Sequence, residues 1–113
     1  MRDDRVCLFE ILEAIRKIKR YTASGRQPFF TNSMAHDAVV RNIEIIGEAT
    51  RALTQEFKDA HPEIPWRKIV GMRNILIHEY FRVDLEAVWT VVENDLAILE
   101  PQISRCFEET NNG

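Results

Sequence analysis

The sequence predicts an all-α protein, an antiparallel bundle of four main helices, and three observations carry that expectation. Apolar residues recur at three- and four-residue spacing in four segments, and no segment of any length alternates at two. Glycine and proline number four each in 113 residues, too few for the turns of a β-sandwich or barrel. Hydrophobic residues make up 45% and charged residues 29%, the balance of a globular rather than a disordered chain. One domain spanning residues 1–113 is expected, with room for a single core and little for a deep private cleft.

The first helix is expected over residues 4–24. Leu8, Ile11, Leu12, Ile15 and Ile18 form its apolar stripe, and Gly25 is a natural stop. Residues 27–32, with Pro28, read as a connection. The second helix begins at Asn32 or Ser33, either of which can cap it, and runs to about residue 58. Ala35, Ala38, Val39, Ile43, Ile46, Ala49, Leu53 and Phe57 face one way on it. Pro62 and Pro65 then interrupt the pattern, because proline cannot continue a helix and restricts the residue before it. Pro65 suits the first position of a third, shorter helix over residues 65–78. Asp84 suits the N-cap of a fourth, reaching to about residue 108 with Leu85, Val88, Trp89, Val92, Leu96, Leu99 and Ile103 as its stripe. Pro101 is expected to kink or divide it, since the bond back to Ala97 is lost. Residues 111–113 read as a frayed tail, and no internal repeat or low-complexity stretch is visible.

Charge and targeting signals restrict the function classes. A net charge of −3 provides no broad basic surface, so contact with nucleic acid has to be local. The apolar runs are far shorter than the roughly 20 residues a bilayer span needs, so no membrane partner is expected. The start, Met-Arg-Asp-Asp-Arg, lacks the layout of a signal peptide, which suggests the cytoplasm. Cys7 and Cys106 match no metal motif and read as reduced, partly buried thiols.

The third helix carries the most unusual sequence. Met72, Leu76, Ile69, Tyr80, Trp66, Ile77 and Val70 fall within an arc of about 160° at 100° per residue, and Arg73 lies near its middle. An unpaired buried charge costs several kcal/mol, so Arg73 either meets a carboxylate or faces a cleft that admits an anion. Asn74 and His78, four apart, share a second face on which Asn74 can hold the imidazole and fix its tautomer. Gly71 and Ile75 lie on that side, leaving it small enough for close approach by another helix. On the second helix Asn42 falls inside the apolar arc, where a buried amide needs partners. Glu44 and Glu48 lie opposite, as a solvated face or as partners for Arg73 or another chain. Gly47 costs about 1 kcal/mol in a helix interior unless close packing recovers it. There is no glycine-rich phosphate loop, Ser/His/Asp set or Cys/His zinc spacing. His36 and His61 have no helical partner at three or four, so neither metal nor cofactor is expected.

The segment Arg73-Asn74-Ile75-Leu76-Ile77-His78-Glu79-Tyr80 fits Arg-(four residues)-His-x-Tyr and resembles the signature of the HEPN superfamily, small all-helical proteins that include many ribonucleases. More narrowly it resembles the HepT-like toxins encoded beside MntA, a minimal nucleotidyltransferase antitoxin. Arg41-Asn42-Ile43-Glu44-Ile45-Ile46-Gly47-Glu48-Ala49 resembles the second helix of that family, residues 65–71 its entry to the motif, and residues 80–84 the passage to its last helix. The resemblance implies metal-independent RNA cleavage in a type VII-like toxin–antitoxin pair. Arg73 and His78 would be catalytic, with Asn74 and Asn42 in support. It further implies a homodimer with the motif at its interface, and a Tyr80 hydroxyl that the antitoxin modifies with AMP. The residues suit that chemistry: the ribose 2′-OH supplies the nucleophile, histidine an acid or base, and arginine a clamp for phosphate oxygens. The alternative is a non-catalytic nucleotide- or substrate-binding subunit of a minimal nucleotidyltransferase, in which the arginine serves an AMP phosphate.

Overall fold

Buried Leu8, Ile11, Leu12, Ile15 and Ile18 make helix α1 (Asp4–Tyr21) the centre of the molecule, as their spacing predicts. The computed structural model describes residues 3–78 and 82–112. Asp3 caps α1 by accepting from the Val6 N–H at 2.9 Å. The helix ends three residues before its expected stop because Thr22 turns back on it, its N–H and hydroxyl both reaching the Ile18 carbonyl. Gly25 instead makes the corner that follows, at φ +98°, a backbone region open mainly to glycine.

The expected connection around Pro28 is a single helical turn, α2 (Arg26–Phe30). A proline in a first turn lacks only an N–H that would have no helical partner there. Helix α3 (Ser33–Ala52) is capped by Asn32. The second predicted helix does not continue to residue 58. Leu53 is extended, and Thr54 caps a separate short helix α4 (Gln55–Ala60), accepting from the Phe57 N–H at 3.1 Å. The Asp4 carboxylate holds that break, taking the Thr54 N–H at 2.8 Å and its hydroxyl at 2.7 Å. This ties the start of α1 to the end of α3 and makes the two antiparallel.

Helix α5 (Trp66–Leu76) starts one residue after Pro65, whose carbonyl accepts from the Ile69 N–H. It ends two residues short of the expected limit, where β1 (Ile77–His78) pairs antiparallel with β2 (Arg82–Val83), Ile77 opposite Val83 and His78 opposite Arg82. Ile77 and Val83 are β-branched and favour that extended pairing. The fold is thus all-α with one two-residue strand pair.

The fourth helix begins, as expected, with Asp84 as cap to α6 (Leu85–Thr90). It passes through a π-helical segment (Val91–Asp95) into α7 (Leu96–Asn112), which continues through Pro101 without dividing there. The irregularity lies upstream because the buried residues of this rod are Val88, Val91, Leu96, Leu99, Ile103 and Cys106. The five-residue step from Val91 to Leu96 would leave the face of an α-helix. The wider turn absorbs it, the Leu96 N–H reaching the Val91 carbonyl. Val91 therefore fills the core place that regular spacing gives to Val92. α7 packs antiparallel on α1, with Lys19 paired to Glu100 at one end and Phe9 against Phe107 at the other. α5 packs against α3 and also borders the fourth rod, where Lys68 pairs with Asp95 at 3.1 Å.

Candidate active site

The α3–α5 seam positions the candidate residues. Trp66, Ile69 and Met72 are the buried residues that seat α5. The Trp66 indole N–H donates to the Lys58 and His61 carbonyls, 3.1 Å to each, so the helix start is fixed to the turn before it. Halfway along, the two backbones come close. A Cβ placed on Gly47 would stand 3.4 Å from the Val70 carbonyl oxygen, which is the close packing that glycine at this position allows.

Arg73 is not buried in the apolar arc. Its side chain is 47% exposed, and its Nε lies 3.2 Å from Glu44 Oε2 across the seam. The sequence leaves a choice between a carboxylate and a cleft, and the structure supplies the carboxylate. The arginine stem runs along the edge of the apolar stripe while the head stays near water. Glu44 consequently belongs to the seam and not to a solvated face, whereas exposed Glu48 lies 3.7 Å from exposed Arg41. Asn42 is buried as expected, and its amide Nδ2 donates to the Ala38 carbonyl at 2.8 Å.

Asn74 is exposed in the last stretch of α5. The four-residue helical relation expected between Asn74 and His78 does not hold, because the helix ends at Leu76 and His78 belongs to β1. The strand register instead sets His78 opposite Arg82, a cation that helical periodicity alone does not associate with the motif. Tyr80, the expected modification site, lies outside the described residues. Gly71 occupies an open part of α5, where an added Cβ would meet nothing within 4 Å.

The remaining histidines are engaged locally: His36 Nε2 lies 2.6 Å from the Phe29 carbonyl, and His61 Nδ1 lies 3.0 Å from that of Phe57. Both cysteines are buried thiols, and burial pushes the Cys106 thiol up to about 11. Among the described residues no group of three His, Cys, Asp or Glu side chains could hold a metal ion. No helix among them is long and apolar enough to cross a membrane.

The bundle, with its Arg73–Glu44 pair near the end of a short helix, is a small all-helical domain. A match to the family described as "Ribonuclease HepT-like" spans residues 11–106, and the chain belongs to that family. It is 39% identical over 99 residues to the "Probable ribonuclease HepT" of Thermococcus cleftensis, covering 87% of this chain and 90% of that protein. It is 43% identical over 109 residues to a Methanocaldococcus jannaschii protein named "Gamma-glutamylcyclotransferase and putative RNase", covering 96% of this chain. The chain spans about half of that relative, 49% of its length. No solved structure matches.

Proposed function

We propose that the chain is the toxin of a type VII-like toxin–antitoxin pair, a metal-independent endoribonuclease built around Arg73 and His78. The observation that carries this reading is the state of Arg73. It is half exposed, held at the end of α5 through Nε alone among the described contacts, and so available to a phosphate as a planar donor. In the reaction the ribose 2′-OH attacks the adjacent phosphorus and gives up its proton to one imidazole. The bond from phosphorus to the 5′-oxygen breaks, and that oxygen takes a proton from an imidazolium. The products are a 2′,3′-cyclic phosphate and a 5′-hydroxyl. Arginine stabilises the charge that gathers on the phosphoryl oxygens.

One histidine cannot act as base and acid in the same step, so two copies meet around a two-fold axis and contribute His78 and Arg73 each. The open space at Gly71 supports such a contact, since it lies two residues from Arg73 and an added Cβ there would meet none of the described residues within 4 Å. Asn74 and Asn42 act in support, from the exposed end of α5 and from inside α3. Neutralisation occurs when an MntA-like nucleotidyltransferase transfers AMP from ATP to the Tyr80 hydroxyl, which loses its proton as pyrophosphate leaves. The adduct places a bulky anion two residues from His78, blocking RNA and occupying the arginine.

The test is cleavage of RNA by the purified protein in EDTA. Activity that survives chelation and disappears in Arg73→Ala and His78→Ala, with helical content intact, supports the reading. Metal-dependent activity, or full activity in both variants, removes it. Co-expression with the nucleotidyltransferase should add mass in steps of one AMP, and Tyr80→Phe should abolish the additions.

A further inference from the structure

At the other end of the α3–α5 seam from Arg73 lies a groove of about 740 Å³ between the C-terminal end of α3, α4 and the start of α5. The seam orders the two features. Glu44 and Arg73 pair at one end, Gly47 meets Val70 in the middle, and Arg51 and Arg67 line the groove beyond Val70. The charge there is opposite to that of the whole chain, whose net charge is −3. Arg51, Lys58 and Arg67 face a single carboxylate, Asp59, which is already engaged by the Gln55 amide at 2.8 Å. Arg51 and Arg67 are exposed, and among the described residues no ion pair engages either. The apolar part of the wall is made by Pro62, Pro65, Val70 and the small exposed part of Trp66, which is otherwise buried and fixed by the two carbonyls that hold its indole N–H.

From Arg67 to Arg73 the helix rises about 9 Å, which a stacked single strand covers in about two or three nucleotides. Unpaired guanidinium groups beside an apolar, partly aromatic wall are a combination that holds single-stranded nucleic acid, cations on the phosphates and a base on the wall. We propose that this groove is a substrate subsite: it binds single-stranded RNA two or three nucleotides from the scissile bond, with phosphate on Arg51 and Arg67 and a base on the apolar wall that Trp66 borders. The inference rests on the reading that Arg73 marks the scissile phosphate. It also accounts for how an acidic chain retains RNA, by a short local inversion of charge along one seam.

The test uses the full chain and a labelled 2′-O-methyl oligouridylate, which lacks the attacking hydroxyl and stays uncut. Arg51→Ala and Arg67→Ala should each weaken binding about tenfold and reduce the slope of log affinity against log salt by about 0.7. Arg67→Lys should keep the slope. In a Trp89→Phe background Trp66 is the one remaining tryptophan, and its emission should change on binding. Wild-type affinity and salt slope in both alanine variants would overturn the proposal, and an unchanged Trp66 emission would remove the base from the wall that Trp66 borders. Cleavage of the unmodified oligouridylate is followed in parallel. Binding through the groove without cleavage leaves the subsite standing and removes the nuclease chemistry at Arg73, whereas cleavage with unaltered binding in the variants does the reverse.

Discussion

Arg73 Nε stands 3.2 Å from Glu44 Oε2, joining the end of α5 to the middle of α3 at the edge of the solvent. A half-exposed pair of this kind contributes at most about 1 kcal/mol to stability. Glu44 has two opposed effects in the proposed site: it orients the guanidinium, and it repels the phosphate that the guanidinium is to bind. Glu44→Gln keeps an acceptor and removes the charge. RNA affinity should rise about threefold while turnover falls, the two moving in opposite directions. Steady-state kinetics on an RNA oligonucleotide, with binding of its uncleavable analogue, checks this; unchanged values of both would show that Glu44 is irrelevant to the site.

Two glycines on facing helices separate packing within the chain from packing beyond it. At Gly47 an added Cβ would reach ordinary contact with the Val70 carbonyl, so Gly47→Ala should range from neutral to about 1 kcal/mol stabilising. Gly47→Leu would drive α3 from α5 and cost about 2 kcal/mol. At Gly71 an added Cβ would meet none of the described residues within 4 Å. Gly71→Trp should therefore leave the folded chain intact while lowering self-association and cleavage together, as the proposed dimer requires. Urea titration and sedimentation equilibrium measure the two effects, and a dimeric, fully active Gly71→Trp would place the contact elsewhere.

The break between α3 and α4 rests on three hydrogen bonds. The Asp4 carboxylate accepts twice from Thr54, and the Thr54 hydroxyl accepts from the Phe57 N–H. Thr54→Ala removes the cap and one of the Asp4 contacts, and should cost about 1 kcal/mol or slightly more. Asp4→Ala should cost a similar amount, and the double variant should fall short of additivity by about 0.5 kcal/mol or more because the two share one network. Strict additivity would mean that the carboxylate does not support the cap.

Much of this fold is written in periodicity. The stripe of α1, the Asn32 and Asp84 caps and the proline-marked entry to α5 all stand where apolar spacing and capping chemistry predict. What periodicity misses depends on contacts between distant segments. The stop at Leu53 needs Asp4, fifty residues away, and the shift of Val92 out of the core needs a π turn that regular spacing cannot express. The site divides in the same way. Arg73 stands out in the sequence as a charge among apolar residues, but its burial cannot be inferred from helical angle alone, because a long side chain reaches water from the edge of a stripe. The Asn74–His78 relation fails because the helix ends at Leu76 and the chain enters a strand pair that brings Arg82 opposite His78. The basic groove combines residues 51, 58 and 67 from three helices, a cluster that no local motif could reveal.

Cys106 gives the fold a dependence on alkaline pH. Burial chiefly, with the Glu109 and Glu63 charges, raises the thiol from 9.0 to about 11, so the folded chain keeps a proton that the unfolded chain releases. Stability from this group is complete below about pH 9 and is lost as pH rises towards about 11, by about 2 kcal/mol over that window. Denaturant titrations at the two ends should show the loss in the wild type and a smaller one in Cys106→Ala. The thiol should also resist alkylation at neutral pH until the chain unfolds. An equal pH response in the variant would assign the loss to other groups.

A site assembled from two copies makes a quantitative demand on mixtures. If base and acid are the His78 imidazoles of two subunits, a dimer of one wild-type chain and one His78→Ala chain has lost one of the two proton carriers and should be close to inactive. Unfolding wild-type and His78→Ala chains together and refolding them distributes subunits at random. Active dimers then fall as the square of the wild-type fraction, and an equal mixture should retain about one quarter of the activity of the same amount of wild-type protein. Independent sites, one per chain, would retain about one half, since each wild-type chain would act whatever its neighbour. A linear fall with the wild-type fraction, in a sample that sediments as a dimer, would show that each chain carries a complete site and would remove the shared-histidine mechanism.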